Sequence, residues 1–239
     1  MKKPILVITL LAAFCLAQSQ VGDIWKKAQS SLGTRGLSND KITAGLKEAL
    51  TVSTGNAVAA TGKPDGFLKN AAIKILLPEK LRTVGKGMRL MGMGAQVDEL
   101  EVGMNRAAEQ AAPAAKQIFI NALTKMTFTD ARNILSGSND TAATDYFKRT
   151  STTQLTTAFA PIVHKAMENV GVIRQYNQVM QNSMASSLAG NQNFSLDKYV
   201  VGKALDGLFY MVGEEEKKIR KDPAAQVTSL LKEVFGRKQ

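Results

Sequence analysis

Apolar residues recur every three to four positions along most of the chain, the spacing that places them on one side of an α-helix. Ile42, Leu46, Ala49 and Leu50 follow it, behind Ser38, whose hydroxyl can cap a helix start. Gly62-Lys63-Pro64-Asp65-Gly66 breaks that helix. Ala72-Ile73-Lys74-Ile75-Leu76-Leu77 is the segment with strand-like composition, and Pro78 starts the next helix at its first position. A lone strand has no sheet to join, so residues 72–77 read as an extended connector. From Ala95 to Ala112 the pattern is strong: Val97, Leu100, Met104, Ala107, Ala108 and Ala111 form one stripe, and its small residues admit a close neighbour. Pro113 then begins a new helix or kinks this one, with Ile118, Phe119, Ala122, Leu123 and Met126 on the core side.

Thr127-Phe128-Thr129-Asp130 reads as a capped turn, followed by a short helix through Leu135 that stops at Gly137. Ser138-Asn139-Asp140 caps a helix carrying Tyr146 and Phe147. Separate helices fit 151–170, with Pro161 as a kink, and 171–187, before the polar loop 190–193. Ser195 caps a long helix in which Leu196, Val200, Val201, Ala204, Leu205, Leu208, Phe209 and Val212 cover most of the circumference, as a central helix requires. Asp222-Pro223 ends it and opens a last helix with Val227, Leu230, Leu231 and Val234, stopped at Gly236. No repeat is visible, which argues against a solenoid. The predicted fold is all-α, a single-domain multi-helix bundle with one short extended connector near residues 72–77.

The first residues change the address. Lys2 and Lys3, the apolar run Ile5 to Leu16 and the small-x-small exit Cys15-Leu16-Ala17 form a secretory leader, residues 1–17, too short to span a bilayer. The predicted location is therefore outside the cytoplasm, in the periplasm. Phe14 stands where a lipidated cysteine takes Gly, Ala or Ser, so cleavage after Ala17 is expected instead of a lipid on Cys15. Cys15 is the only cysteine, which rules out an internal disulfide. With the leader removed, 29 basic residues face 20 acidic ones, a balance of +9. An exported chain meets little nucleic acid, so the charge points to an anionic membrane surface, a glycan or an acidic protein.

Several segments carry a family resemblance. Gly45-Leu46-Lys47-Glu48-Ala49-Leu50, Ile75-Leu76-Leu77-Pro78, Met104-Asn105-Arg106-Ala107-Ala108-Glu109, Asp130-Ala131-Arg132-Asn133-Ile134-Leu135-Ser136-Gly137, Ala142-Ala143-Thr144-Asp145-Tyr146-Phe147, Leu205-Asp206-Gly207-Leu208-Phe209 and Leu230-Leu231-Lys232-Glu233-Val234-Phe235-Gly236 resemble an exported bacterial family known as domain of unknown function 4197, over about residues 30–236. The resemblance implies one all-helical domain from a Gram-negative bacterium and agrees with the leader. It implies no activity or substrate.

Candidate chemistry falls in three groups. Tyr199, Lys203, Asp206 and Tyr210 share one stripe of an otherwise apolar helix, either lining a polar cleft or forming a solvated face. Asp98, Glu101, Asn105 and Glu109 line one face of another helix. They offer hard oxygens for Ca²⁺ or Mg²⁺ but are spread over about three turns, so a surface face with an Arg106–Glu109 pair is expected and no metal is assigned. Residues 63–89 hold seven cations against Asp65 and Glu79, with Lys69, Lys74, Lys80 and Arg82 as candidate contacts to an anionic surface. If exposed, the neighbouring Ile73, Ile75, Leu76 and Leu77 would add an apolar membrane contact; if core, the patch is solvated lysines.

Other features are weaker. Glu214-Glu215-Glu216 before Lys217, Lys218 and Arg220 reads as helix surface. Met88, Met91 and Met93 have a spacing that Cu(I) accepts, or pack as adaptable thioethers. His164, the only histidine, has neither a second histidine nor a mature cysteine to share zinc with, and reads as structural. No cofactor is predicted. The reading is an exported binding protein for an anionic lipid, envelope component or protein partner; the alternative is a carboxylate-dependent hydrolase using Asp206 or Glu109.

Overall fold

The computed structural model describes residues 39–137, 139–169 and 195–221. The leader with Cys15, the caps at Ser38 and Ser138, and the segments 171–187, 190–193 and 223–236 lie outside the described residues, as do the side chains of Lys41, Ile42, Lys80 and Lys221. Within the described residues the fold is all-α and without strands. The helices are α1 (Asn39–Gly62), α2 (Glu79–Leu90), α3 (Gly94–Ala111), α4 (Ala115–Lys125), α5 (Phe128–Ser136), α6 (Ala142–Asn169) and α7 (Leu196–Lys221), with a 3₁₀ turn at Ala112–Ala114 between α3 and α4.

The apolar periodicity places the core as expected. The eight apolar residues predicted for the core of α7, from Leu196 to Val212, are buried, Met211 is partly so, and the helix packs on α6, α1 and α3. The α3 stripe is buried too, and Ala107, Ala108 and Ala111 have no exposed surface, so α6 can lie close against it. Phe119 of α4 meets Phe147 of α6 edge-on with ring centroids 5.0 Å apart, and Phe209 of α7 at 6.2 Å, which joins three helices in one continuous core. Thr127 and Asp130 form the reciprocal cap that starts α5, and the Ser195 hydroxyl accepts from the Lys198 N–H at the start of α7.

Three readings are corrected. α6 is continuous from Ala142 to Asn169, where separate helices were expected. Its run of threonines does not interrupt it, because the hydroxyls of Thr150, Thr152, Thr156 and Thr157 each donate to the carbonyl four residues back. Pro161 lies inside the helix on its exposed side, where water can take the carbonyl that the ring leaves without an N–H. Pro78 stands one residue before α2 and not at its first position.

The third concerns Glu216. Glu214 and Glu215 pair along the helix with Lys217 and Lys218, but Glu216 is only 3% exposed. Its carboxylate accepts from the N–H groups of Ala143 and Thr144 and from the Thr144 hydroxyl, each at 2.8 Å, so α7 caps the first turn of α6. Arg220 balances the charge at 2.8 Å and also donates to the Ile134 carbonyl at 2.9 Å, tying in α5. A buried carboxylate with this many donors is costly to delete. Glu216→Ala is predicted to lower the unfolding free energy by about 3 kcal/mol, whereas Glu214→Ala, nearer the surface, costs well under about 1 kcal/mol; urea denaturation of the two variants measures the difference.

Candidate functional site

The segment between α1 and α2 crosses the bundle without regular structure. It opens with a Pro-led turn in which the Gly66 N–H donates to the Lys63 carbonyl at 2.9 Å and Asp65 takes a positive φ of 66°. A Cβ on Gly66 would stand 2.7 Å from the Thr61 carbonyl oxygen, so the turn folds back on the end of α1 only with glycine there. Phe67 follows, fully buried, and a Cβ on Gly207 of α7 would come 2.5 Å from its ring. A turn closes next, the Ile73 and Lys74 N–H groups donating to the Asn70 carbonyl, so the extended stretch begins after residue 73 and not at 72; Ile73, Ile75 and Leu77 are buried and Lys74 and Leu76 exposed. This is the alternation of a strand with no neighbouring strand.

Its backbone groups are taken up by side chains of α3. The Asn105 amide oxygen accepts from the Ile75 N–H at 2.8 Å and its NH₂ donates to the Ile75 carbonyl at 2.8 Å, a two-bond pairing like that between strands. One turn earlier Glu101 accepts from the Leu77 N–H at 3.2 Å. One turn later Glu109 accepts from the N–H groups of Phe67 and Leu68, both at 3.1 Å. Its other oxygen pairs with Arg106 at 2.7 Å, and Arg106 reaches Asp65 at 2.7 Å. Hydrogen bonds from Lys69 and Arg106 hold the Asp65 carboxyl below its ordinary range. Asp98, at the start of the face, pairs instead with Arg89 of α2 at 2.6 Å, and that bond lowers its pKa.

The expected surface face is thus corrected. Asn105 has no exposed surface and Glu109 only 4%, and the periodicity could not reveal it because a polar stripe facing solvent and one facing an extended chain have the same spacing. Both Glu109 oxygens are engaged with the protein's own groups, and among the described residues no cluster of His, Cys, Asp and Glu is arranged to hold a metal. The α7 stripe divides. Tyr199 donates to the Leu76 carbonyl at 2.9 Å and its phenol pKa is raised by burial, while Lys203 and Asp206 form an exposed pair at 3.0 Å and Tyr210 is exposed. Glu101 and Arg82, taken from two other candidate groups, both hydrogen-bond the Leu77 backbone and lie within electrostatic reach of Tyr199. A pocket of about 340 Å³ lies elsewhere, lined by residues including Lys125, Asp130, Tyr146 and Arg149, and contains none of the candidate residues.

The basic segment keeps its cations outside. Lys69, Lys74 and Arg82 are exposed, with Lys69 paired to Asp65 at 2.8 Å and the Arg82 Nε donating to the Leu77 carbonyl at 3.3 Å; Lys80 lies in α2 with its side chain outside the description. Ile73, Ile75 and Leu77 are core, the second of the two alternatives, while Leu76 is 46% exposed. Further exposed apolar side chains lie on the α2–α3 hairpin. α2 buries Leu81, Val84 and Met88 against the connector and α3, then turns through Met91 and Gly92 (φ 79°), leaving Leu90 90%, Met91 65% and Met93 41% exposed. Met88 is therefore separated from the other two methionines by burial.

Residues 36–236 match the family described as protein of unknown function DUF4197. The chain belongs to that family. No curated protein and no solved structure matches it. Three segments that carry the resemblance, Ile75 to Pro78, Met104 to Glu109 and Leu205 to Phe209, supply the connector, the polar face that holds it and the glycine it crosses in this DUF4197 protein.

Two predictions follow from these contacts. Asn105→Leu keeps the branched shape, adds volume, and leaves both polar groups of Ile75 buried without partners, so the protein should lose about 3 kcal/mol or more in urea unfolding. His164 of α6 joins Asp197 of α7 at 2.7 Å, and this hydrogen bond raises its pKa above 6.5. A raised folded-state value means the link stabilises fully below about pH 6.5 and is lost as pH climbs through the folded pKa. An NMR titration should place the imidazole above 6.5, and Asp197→Asn should bring it back down.

Proposed function

We propose that the protein is an exported binding protein of the cell envelope that docks on an anionic surface through the outer face of the connector and α2. The observation that supports it is the sorting of residues 63–89. Ile73, Ile75, Leu77, Leu81, Val84 and Met88 turn inward, Leu76 stays partly exposed, and Lys63, Lys74, Arg82 and Lys86 stay exposed with no carboxylate at ion-pair distance among the described residues. The face is held firmly, since Asn105 and Glu109 fix the connector beneath it. A fixed backbone presents its cations without first losing loop freedom on binding. The leader-like residues 1–17 and the excess of basic residues fit a partner outside the cytoplasm.

Retention on immobilised heparin and co-sedimentation with phosphatidylglycerol vesicles test the reading, and both should fall with added salt. Each cation at such a surface contributes about 1 kcal/mol, so reversing Lys63, Lys74, Arg82 and Lys86 to Glu should weaken binding by a hundredfold or more. The control reverses Lys116, Lys125, Lys148 and Lys165, which are exposed elsewhere on the bundle, with an equal change in net charge and a small effect. Equal losses from both sets would reduce the interaction to net charge and remove the docking face.

A further inference from the structure

We infer that the surface met by this face is a lipid bilayer, and that the α2–α3 turn enters its apolar layer with Leu90, Met91 and Met93. The inference rests on the docking face proposed above and adds its occupant. Three apolar side chains stand in water at the end of a helical hairpin, Leu90 at 90% exposure, in a protein that buries its other leucines of α2 and α3 almost completely. The turn cannot fold back to hide them. Leu81, Val84 and Met88 hold α2 down, and the Arg89–Asp98 pair closes the base of the turn at 2.6 Å.

Size and chemistry favour lipid over protein. A stable protein interface buries about 800 Å² on each partner, more than three side chains at a narrow turn present. A bilayer asks for no complementary shape, and each apolar side chain adds its own contribution. Leu and Met are flexible enough to enter disordered chains. Lys86, exposed one turn behind Leu90, is placed to reach anionic head groups while the tip goes deeper. Among the described residues no helix is long and apolar enough to cross a membrane, so the contact proposed is shallow and one-sided.

The test uses the mature chain with its single tryptophan removed, Trp25→Phe, and Met91→Trp added. On phosphatidylglycerol vesicles the indole emission should shift to the blue and be quenched by lipids brominated near the head of the acyl chain. Leu90→Ser, Met91→Ser and Met93→Ser together should weaken vesicle binding at least tenfold, leaving heparin retention and the helical spectrum unchanged. An indole that stays water-like on bound vesicles overturns the insertion and leaves the docking face standing. A parent protein that is dimeric and becomes monomeric with the three serines would assign the tip to a second copy and overturn it as well. Failure to bind either vesicles or heparin would remove the docking face and the insertion together.

Discussion

The side-chain amide of Asn105 does for Ile75 what a neighbouring strand would do. A buried extended segment in an all-helical protein has N–H and C=O groups that no helix backbone can satisfy, since helices use their own internally. Here α3 meets that demand with side chains at 101, 105 and 109, one per turn, each facing a different stretch of the connector. Losing these bonds would leave buried polar groups at about 1–3 kcal/mol each, a large share of the net stability of a domain this size.

Much else depends on that latch. Phe67, Ile73, Ile75 and Leu77 can enter the core only because the backbone between them is satisfied, and they sit against α7 at Gly207 and against α2 at Gly85. Charge follows the same logic: Arg106 stands between Asp65 and Glu109, so the buried carboxylate is neutralised while it accepts two backbone bonds. Once the connector's apolar side is fixed inward, its lysines have only the outside left. The basic face and the hairpin tip are thus consequences of how the core is closed.

The helical architecture was legible because its signals are local. The stripes of α3 and α7, the Thr127–Asp130 box and the Ser195 cap depend on spacing within one segment. Burial of polar residues was not legible. Asn105, Glu109 and Glu216 look like members of solvated faces until the partner is known, and that partner lies 30, 42 and 73 residues away in the chain. The run at Glu214 to Glu216 is a case in point, since the first two residues pair along their own helix while the third caps another. The connector was legible as extended, but its depth and the exposed Leu90–Met93 tip depend on which face α3 offers it. Among the candidate residues, Tyr199, Glu101 and Arg82 were identified singly and their hydrogen bonds to the backbone of Leu76 and Leu77 were not.

Hydrogen exchange at single amides in the native protein tests the latch most directly. The account predicts that the N–H groups of Phe67, Leu68, Ile75 and Leu77 exchange as slowly as the interior amides of α3, despite lying outside any helix or sheet. Rapid exchange at Ile75 and Phe67 while α3 stays protected would contradict it, because the connector would then open independently of the helix said to hold it.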